Sequence, residues 1–265
     1  MPVPEHIHRF WKALDERHFH TAPTWWGAVV TEARYPAIWD FNYARVDVPA
    51  PDLTLAEVAD ALLPALAEVG TDMFHVLFFH PEETTDLMVE LSTLGHTLSW
   101  DLVMDLTAAP AIEPWDVLVE PLEAGEELWT RVEDSLALFG NDATVSEQLR
   151  RIEEETFSTE HKRWLGVRDD DGTIVALAAL VQLEGVGYLD NVATFPEARG
   201  RGMASAIVAR AIELARGSGA KHVSLFADPN AFPVVRMYER LGFREVGRLA
   251  STKGPVETVR PGQDG

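Results

Sequence analysis

Asn191-Val192-Ala193-Thr194-Phe195-Pro196-Glu197-Ala198-Arg199-Gly200-Arg201-Gly202-Met203-Ala204 is the stretch on which the fold turns. Ahead of it, Gly187 to Thr194 is a short apolar run rich in strand formers. Behind it, Ala204, Ile207, Val208, Ala211, Ile212 and Ala215 recur at helical spacing. Between strand and helix stands Arg-Gly-Arg-Gly. Two glycines let the backbone turn sharply and approach a ligand closely. The first amides of the following helix have no intrahelical acceptor, and the helix dipole makes that end electropositive. Strand, glycine turn and helix start together suit a pyrophosphate, with Arg199 and Arg201 adding charge.

The kind of anion is narrowed by what the loop lacks. There is no Gly-Lys-Ser/Thr for a nucleotide-triphosphate loop, and Ser205 stands where a dinucleotide fingerprint needs its third glycine. An Arg-Gly-x-Gly run alone also fits an ordinary tight turn or a basic turn touching RNA. The pattern Arg199-x-x-Gly202-x-Ala204, followed by Asn230, Val234, Tyr238, Gly242 and Phe243, resembles the GNAT superfamily of N-acetyltransferases over about Val117 to Gly247. The resemblance implies acetyl-CoA as co-substrate. It implies that main-chain groups of Val192, Ala193 and Thr194 hold the pantetheine arm. The amides of Gly200, Arg201, Gly202, Met203, Ala204 and Ser205, with Arg199 beside them, would take the pyrophosphate. Asn230 would cap the far side of the arm. The arm would lie where two parallel strands, 185–194 and 222–227, splay apart.

Tyr238 is the expected acid, because a phenol at the ligand sulfur can protonate or hydrogen-bond the leaving thiolate. The base is less determined. Asp190 and Tyr188 share one face of the loop-bearing strand and Glu184 lies in the preceding turn. Asp190 is the residue chosen, and a water relay is equally open.

Composition bounds the rest. Of 265 residues, 46% are hydrophobic and 25% charged, which describes a globular protein long enough for two domains. With no cysteine, disulfide and thiolate chemistry are excluded. No apolar run reaches a membrane span and no signal pattern opens the chain, so a cytoplasmic protein without a membrane partner is expected. A net charge of −21 disfavours nucleic acid and is compatible with a small-molecule or peptide amine as acceptor. The nine histidines are dispersed without zinc-ligand spacing, so no metal is expected. Oligomeric state is not encoded in any of these patterns.

A repeat is visible in the sequence. His75-Val76 matches His222-Val223, Phe79 matches Phe226 and Leu94-Gly95 matches Leu241-Gly242, each pair 147 residues apart. Without a gap, that offset sets Pro49 on Pro196 and the helix from Thr54 on the helix after Arg201. The expected fold is therefore α/β (α+β). Two GNAT-like domains each carry a mixed, mostly antiparallel sheet flanked by helices, the splayed parallel pair lying in the C-terminal one. The expected boundaries are 1–109 for a degenerate N-terminal copy and 115–258 for the catalytic domain, with 107–114 as linker and 255–265 frayed. Degeneracy is read from Asp52, Leu55 and Glu57, which stand at the positions of Arg199, Gly202 and Ala204. Carboxylates there repel a pyrophosphate and a leucine blocks close approach. The function expected is transfer of an acyl group, acetyl first, to a primary amine by direct attack. A CoA-binding regulatory or scaffold protein without turnover is the alternative.

Overall fold

The structure, a computed structural model, describes residues 1–109, 116–157 and 161–259. The chain forms two compact units. The first holds Met1–Leu102 together with the described residues from Val246 onward; the second holds Val103–Glu245.

In the first unit α1 (Glu5–His18) precedes the hairpin of β1 (His20–Thr24) and β2 (Gly27–Thr31), then β3 (Tyr43–Val46). Next come α2 (Leu55–Val69), β4 (Met73–Phe78), α3 (Thr85–Thr93) and the start of β5 (Thr97–Leu106). The strands pair β1–β2–β3 antiparallel and β3–β4 parallel. Val58, Leu62 and Leu66 of α2 and Leu87, Met88 and Leu91 of α3 close over Val46, Phe74, Val76 and Phe78. Sequence periodicity reads Trp25 to Val30 and Ile38 to Val48 as two strands, but the structure differs at both. A two-residue turn at Trp25-Trp26 makes a hairpin ahead of Gly27, where an added Cβ would lie 1.9 Å from the Arg45 carbonyl oxygen. Ahead of β3, the buried Asn42 accepts from the Glu32 amide (2.9 Å) and donates to the Ile38 carbonyl (2.9 Å). Those bonds satisfy the loop locally, so Trp39–Phe41 forms a 3₁₀ turn instead of a strand.

The second unit runs β6 (Glu120–Pro121), α4 (Glu126–Leu138), α5 (Ala143–Phe157), β7 (Lys162–Arg168), β8 (Ile174–Leu183) and β9 (Val186–Thr194). It continues with α6 (Met203–Gly217), β10 (His222–Ala227) and α7 (Phe232–Arg240). Strand order is β10-β9-β8-β7-β6, antiparallel except for the parallel β9–β10 pair. Leu128, Trp129 and Val132 of α4 cover Trp164, Leu177, Ala179, Ala193 and Phe195 on one face. Contact with α6 explains the small residues of that helix: a Cβ on Gly187 would lie 2.6 Å from the Ala215 Cβ.

Set beside the expected 1–109 and 115–258, the first unit is discontinuous in sequence, taking a strand segment from Val246 onward, and the second is the continuous stretch Val103–Glu245. The last strand, β11 (Phe243–Pro255), leaves the second unit after Glu245 and pairs antiparallel with β4, from Ala250↔Phe78 to Pro255↔Met73. It supplies the ladder partner that β4 needs. Conversely β5 leaves the first unit after Leu102. In the second unit its Asp105 accepts from Ser224 Oγ (2.6 Å), and the Thr107 amide donates to the Gly242 carbonyl (3.0 Å). Of the expected linker, 110–115 lie outside the described residues. Fraying from Pro255 is not observed as far as Val259: Val256 and Val259 are buried in the first unit's core, and the Val256 amide donates to the Asp72 carbonyl (2.8 Å). Residues 260–265 lie outside the described residues.

Both units repeat strand, helix, parallel strand, helix. The second helices keep the offset, Thr85–Thr93 and Phe232–Arg240 differing by 147 at both ends, and the first helices, Leu55–Val69 and Met203–Gly217, differ by 148. The parallel ladder does not keep it. Val76 pairs with Ala44, so an ungapped overlay sets Val223 against Asn191, yet Val223 pairs with Gly187. That four-residue displacement lies in the strand that carries the candidate site.

Candidate active site

The site begins where the ladder of the second unit stops. β9 and β10 pair from Val186↔His222 to Leu189↔Leu225, and no further, although β9 continues to Thr194 and β10 to Ala227. At that point β9 bulges. Its register against β8 shifts between Ala179↔Asp190 and Leu177↔Ala193, and Asn191 adopts φ 50°. A bulge bends its strand and strengthens the local twist. Asparagine tolerates the left-handed region better than most side chains. The bulge is anchored from α4, where Asn191 Nδ2 donates to Ser135 Oγ (3.2 Å) and Ser135 donates to the Val132 carbonyl (2.7 Å). The segment of Val192, Ala193 and Thr194 therefore faces a gap and not β10. Below the gap Tyr188 and Phe226 meet edge-on at 5.6 Å.

Above the gap lies the glycine loop. Gly200 and Gly202 adopt φ 74° and 80°, left-handed values that strain any residue with a Cβ. Gly202 is the N-cap of α6 and supplies no side-chain cap, and no acidic residue stands in the first turn. The initial amides of Met203, Ala204 and Ser205 thus keep their donors directed out of the helix. Arg199 and Arg201 are exposed, and Arg199 Nε donates to the Thr194 carbonyl (3.1 Å), tying the loop to the end of β9. Asn230 is exposed and engaged by Asp228, whose Oδ1 accepts from its amide (2.8 Å) and from Nδ2 (3.1 Å).

A residue with no signal in the sequence supports this loop. Arg131 of α4 lies over the Phe195 ring at 3.5 Å, donates from Nε to the Ile174 carbonyl (2.7 Å) and pairs with Glu197 (3.6 Å). It grips the chain immediately before the glycines. A cation–π contact of about 1–2 kcal/mol at a partly desolvated site sets the scale. Arg131→Ala is expected to weaken acetyl-CoA binding by roughly 5- to 30-fold with kcat near wild type. Isothermal calorimetry giving wild-type affinity would show that the loop keeps its shape unaided.

Tyr238 is 5% exposed, on the sole turn of α7 that is buried. Its ring meets Phe243 edge-on at 6.0 Å, and its hydroxyl has no hydrogen-bond partner among the described residues. Burial first, and then the Asp190 carboxylate, push its pKa up to about 12. Asp190 is exposed, in the last rung before the bulge, where its Oδ1 accepts from the Asn191 amide (2.9 Å). Gly242, which ends the second motif, has φ 96°, and a Cβ there would lie 2.3 Å from the Ala108 carbonyl oxygen. Sequence-predicted residues thus gather at one gap: Val192 to Thr194 along its side, Gly200 to Ser205 above, Asp190 and Tyr238 within electrostatic reach of each other. Asn230 stays on the exposed turn after β10.

The corresponding place in the first unit is closed. β3 and β4 pair to their last residues, Val46↔Phe78, and the Phe79 amide adds a bond to the Val46 carbonyl (2.9 Å). The N-terminus of α2 is filled by its own capping box: Thr54 Oγ1 accepts from the Glu57 amide (3.3 Å), and Glu57 accepts from the Thr54 amide (3.0 Å). The Thr54 hydroxyl, donating to the Glu57 carboxylate (2.7 Å), and then the Thr54 amide hold that carboxyl below its ordinary pKa, so a negative charge occupies the electropositive helix end.

A sheet that parts beside an uncapped, glycine-led helix offers an open strand edge next to unsatisfied amides. Residues 126–243 match the family described as Acetyltransferase (GNAT) family. Mycothiol acetyltransferase of Beutenbergia cavernae is 31% identical over 165 residues, covering 56% of this chain and 55% of that protein. The chain thus spans about half the length of this curated relative. Among solved structures, a functionally unknown conserved protein from Staphylococcus epidermidis superposes with TM-score 0.72 at 12% identity, covering 89% of this chain and 94% of that one. A GCN5-related N-acetyltransferase from Kribbella flavida gives 0.62 at 18% identity, with 96% of each chain covered. At such identities the likeness is one of fold, and it extends over nearly the whole chain. The family match, residues 126–243, lies wholly within the second unit.

Proposed function

We propose that the second unit transfers an acetyl group from acetyl-CoA to a primary amine, by direct attack within a ternary complex. The observation that carries this reading is the end of the parallel ladder at Leu189↔Leu225, with the largely buried Tyr238 in the same unit. The pantetheine arm pairs with the free edge of Val192 to Thr194, and its pyrophosphate lies on the amides of Gly200 to Ser205 between Arg199 and Arg201. Asn230 closes the arm's far side. Asp190 lies on the acceptor's side as a base, and Tyr238 serves the sulfur. With its pKa near 12 the phenol stays protonated at every physiological pH. A thiol titrates near 8.5, so complete proton transfer from Tyr238 is uphill by about 5 kcal/mol. Its contribution is therefore a hydrogen bond to the thiolate as charge develops there, and solvent supplies the final proton. The net charge of −21 supports a small-molecule or peptide amine in preference to nucleic acid as acceptor, and a cytoplasmic setting agrees with the free thiol product. A thiol-release assay over a panel of amines tests the reading. CoA affinity without release for any amine would replace it by a binding role.

The first unit is, in this reading, a vestigial copy. Its parallel strands leave no gap and Glu57 occupies the anion position. Equilibrium dialysis is expected to give one acetyl-CoA per chain. The combined replacement Asp52→Arg, Leu55→Gly, Glu57→Ala is expected to leave that stoichiometry at one, because it opens the helix end but not the strands. Two per wild-type chain would end the vestigial reading.

A further inference from the structure

The first unit has a groove of its own, away from the closed end of its parallel strands. It lies between the flank of α2 and the face of the β1–β2 hairpin, with a volume of about 510 Å³, within the range of small-molecule sites. Alternation puts His20 and Ala22 on one face with Thr31 and Val29, their respective partners across the hairpin. Ala61, Ala65 and Glu68 face them at helical spacing from α2. The space exists because the side chains at 22, 61 and 65 stop at Cβ. Its two ends differ. β2 is antiparallel to β3, β3 is parallel to β4, and α2 joins β3 to β4, so α2 runs alongside β2 in the same direction. Ala22, Val29 and Ala61 therefore stand at one end, and His20, Thr31 and Glu68 at the other. At the polar end Thr31 is 8% exposed, and its hydroxyl makes no hydrogen bond among the described residues. Glu32 also lines this end, but its two carboxylate oxygens accept from Arg34 (3.0 and 2.7 Å), which neutralises it. Glu68 forms no ion pair among the described residues. One uncompensated negative charge thus stands beside a hydroxyl and an imidazole, at the end of an apolar trough.

We propose that this groove binds a small aliphatic ammonium ion, its nitrogen on Glu68, Thr31 and His20 and its alkyl chain along the alanines. A primary ammonium has three N–H donors, and carboxylate, hydroxyl and imidazole offer three acceptors. The net charge of −21 draws any cation toward the surface; the trough selects one that carries an apolar chain. A peptide adding itself as a strand is the other occupant to weigh, because β1 is the outermost strand. The two-residue turn makes Thr24 and Gly27 a hydrogen-bonded pair, so Ala22 and His20 also direct their main-chain groups to β2. Thr21 and Pro23 then face the free edge, and Pro23 has no amide to donate. A continuous added strand is blocked there, which favours the small molecule. The site is separate from the transferase reading, since it lies in the unit whose counterpart of the acetyl-CoA position is closed.

The test uses the full chain without acetyl-CoA and n-butylammonium chloride as probe, followed through the carbon-13 methyl resonances of Ala22, Ala61 and Ala65. All three should shift saturably. Methylammonium, which lacks the chain, should bind at least about tenfold more weakly, and sodium butyrate should give no saturable shift. Glu68→Gln is expected to weaken binding about three- to fivefold. Thr31→Val keeps the shape of the groove, removes the hydroxyl and should cost about fivefold. Ala65→Leu fills the trough and should abolish the saturable shift at Ala22 and Ala61, with thermal melting confirming that the variant is folded. An absent saturable shift in the wild-type chain overturns the proposal, and so does wild-type affinity in Ala65→Leu. Butyrate binding as tightly as butylammonium overturns the choice of a cation. Because no acetyl-CoA is present, a chain that acetylates no amine can still pass this test, and one that acetylates many can fail it.

Discussion

Gly202→Glu is expected to abolish acetyl-CoA binding while the fold survives. Gly202 caps α6 with φ 80° and contributes no side chain. Glutamate adds a negative charge at the helix end that otherwise attracts the pyrophosphate, as Glu57 does at α2. Calorimetry should show affinity reduced beyond about 100-fold, the sum of like-charge repulsion and a side chain where backbone must approach phosphate. Backbone strain of about 1–2 kcal/mol accompanies any residue with a Cβ at this position. Gly202→Ala isolates that part and should lose much less. Wild-type affinity in Gly202→Glu would remove the pyrophosphate from this loop altogether.

Tyr238→Phe separates chemistry from stability. The hydroxyl has no hydrogen-bond partner among the described residues, so its removal breaks no bond in the fold, and the melting temperature should hold. Acetyl-CoA affinity should also hold. Turnover should fall about 10- to 1,000-fold, the range for one positioned acid. The sign with pH is defined. A phenol raised to about 12 is protonated throughout the accessible range, so its loss lowers the pH profile uniformly without moving either limb. An unchanged rate would leave Tyr238 as packing against Phe243.

What the sequence disclosed was local. Gly200, Gly202 and Gly242 are legible because a positive φ leaves glycine as nearly the only choice. The small residues of α6 and the Thr54–Glu57 cap are legible because helical spacing and capping rest on neighbours in the chain. The opening of the strands was expected by resemblance, but its cause was not readable. It depends on Asn191 at φ 50°, a single residue whose type permits many conformations. Arg131 was missed because it acts from α4 on segments tens of residues away, and an exposed-looking charge on an amphipathic helix gives no sign of what it reaches. That β11 completes the first unit escaped for the same reason. Strand patterns reveal that β5 and β11 exist but not which partner each takes.

That choice of partner governs how the chain can be made. Phe78 is paired with Ala250, about 170 residues later. The first unit therefore cannot mature as it leaves the ribosome; it waits until β11 has been made. At about 5–20 residues per second, the interval between β5 and the closing segment of β11 lasts roughly 7–30 s. For that time β4 presents an unpaired edge, the kind of surface that recruits chaperones or a second chain. Contacts so distant in sequence also make for slow refolding. A stop codon near Val246 would spare the whole second unit, yet it would leave the amino-terminal one unfinished.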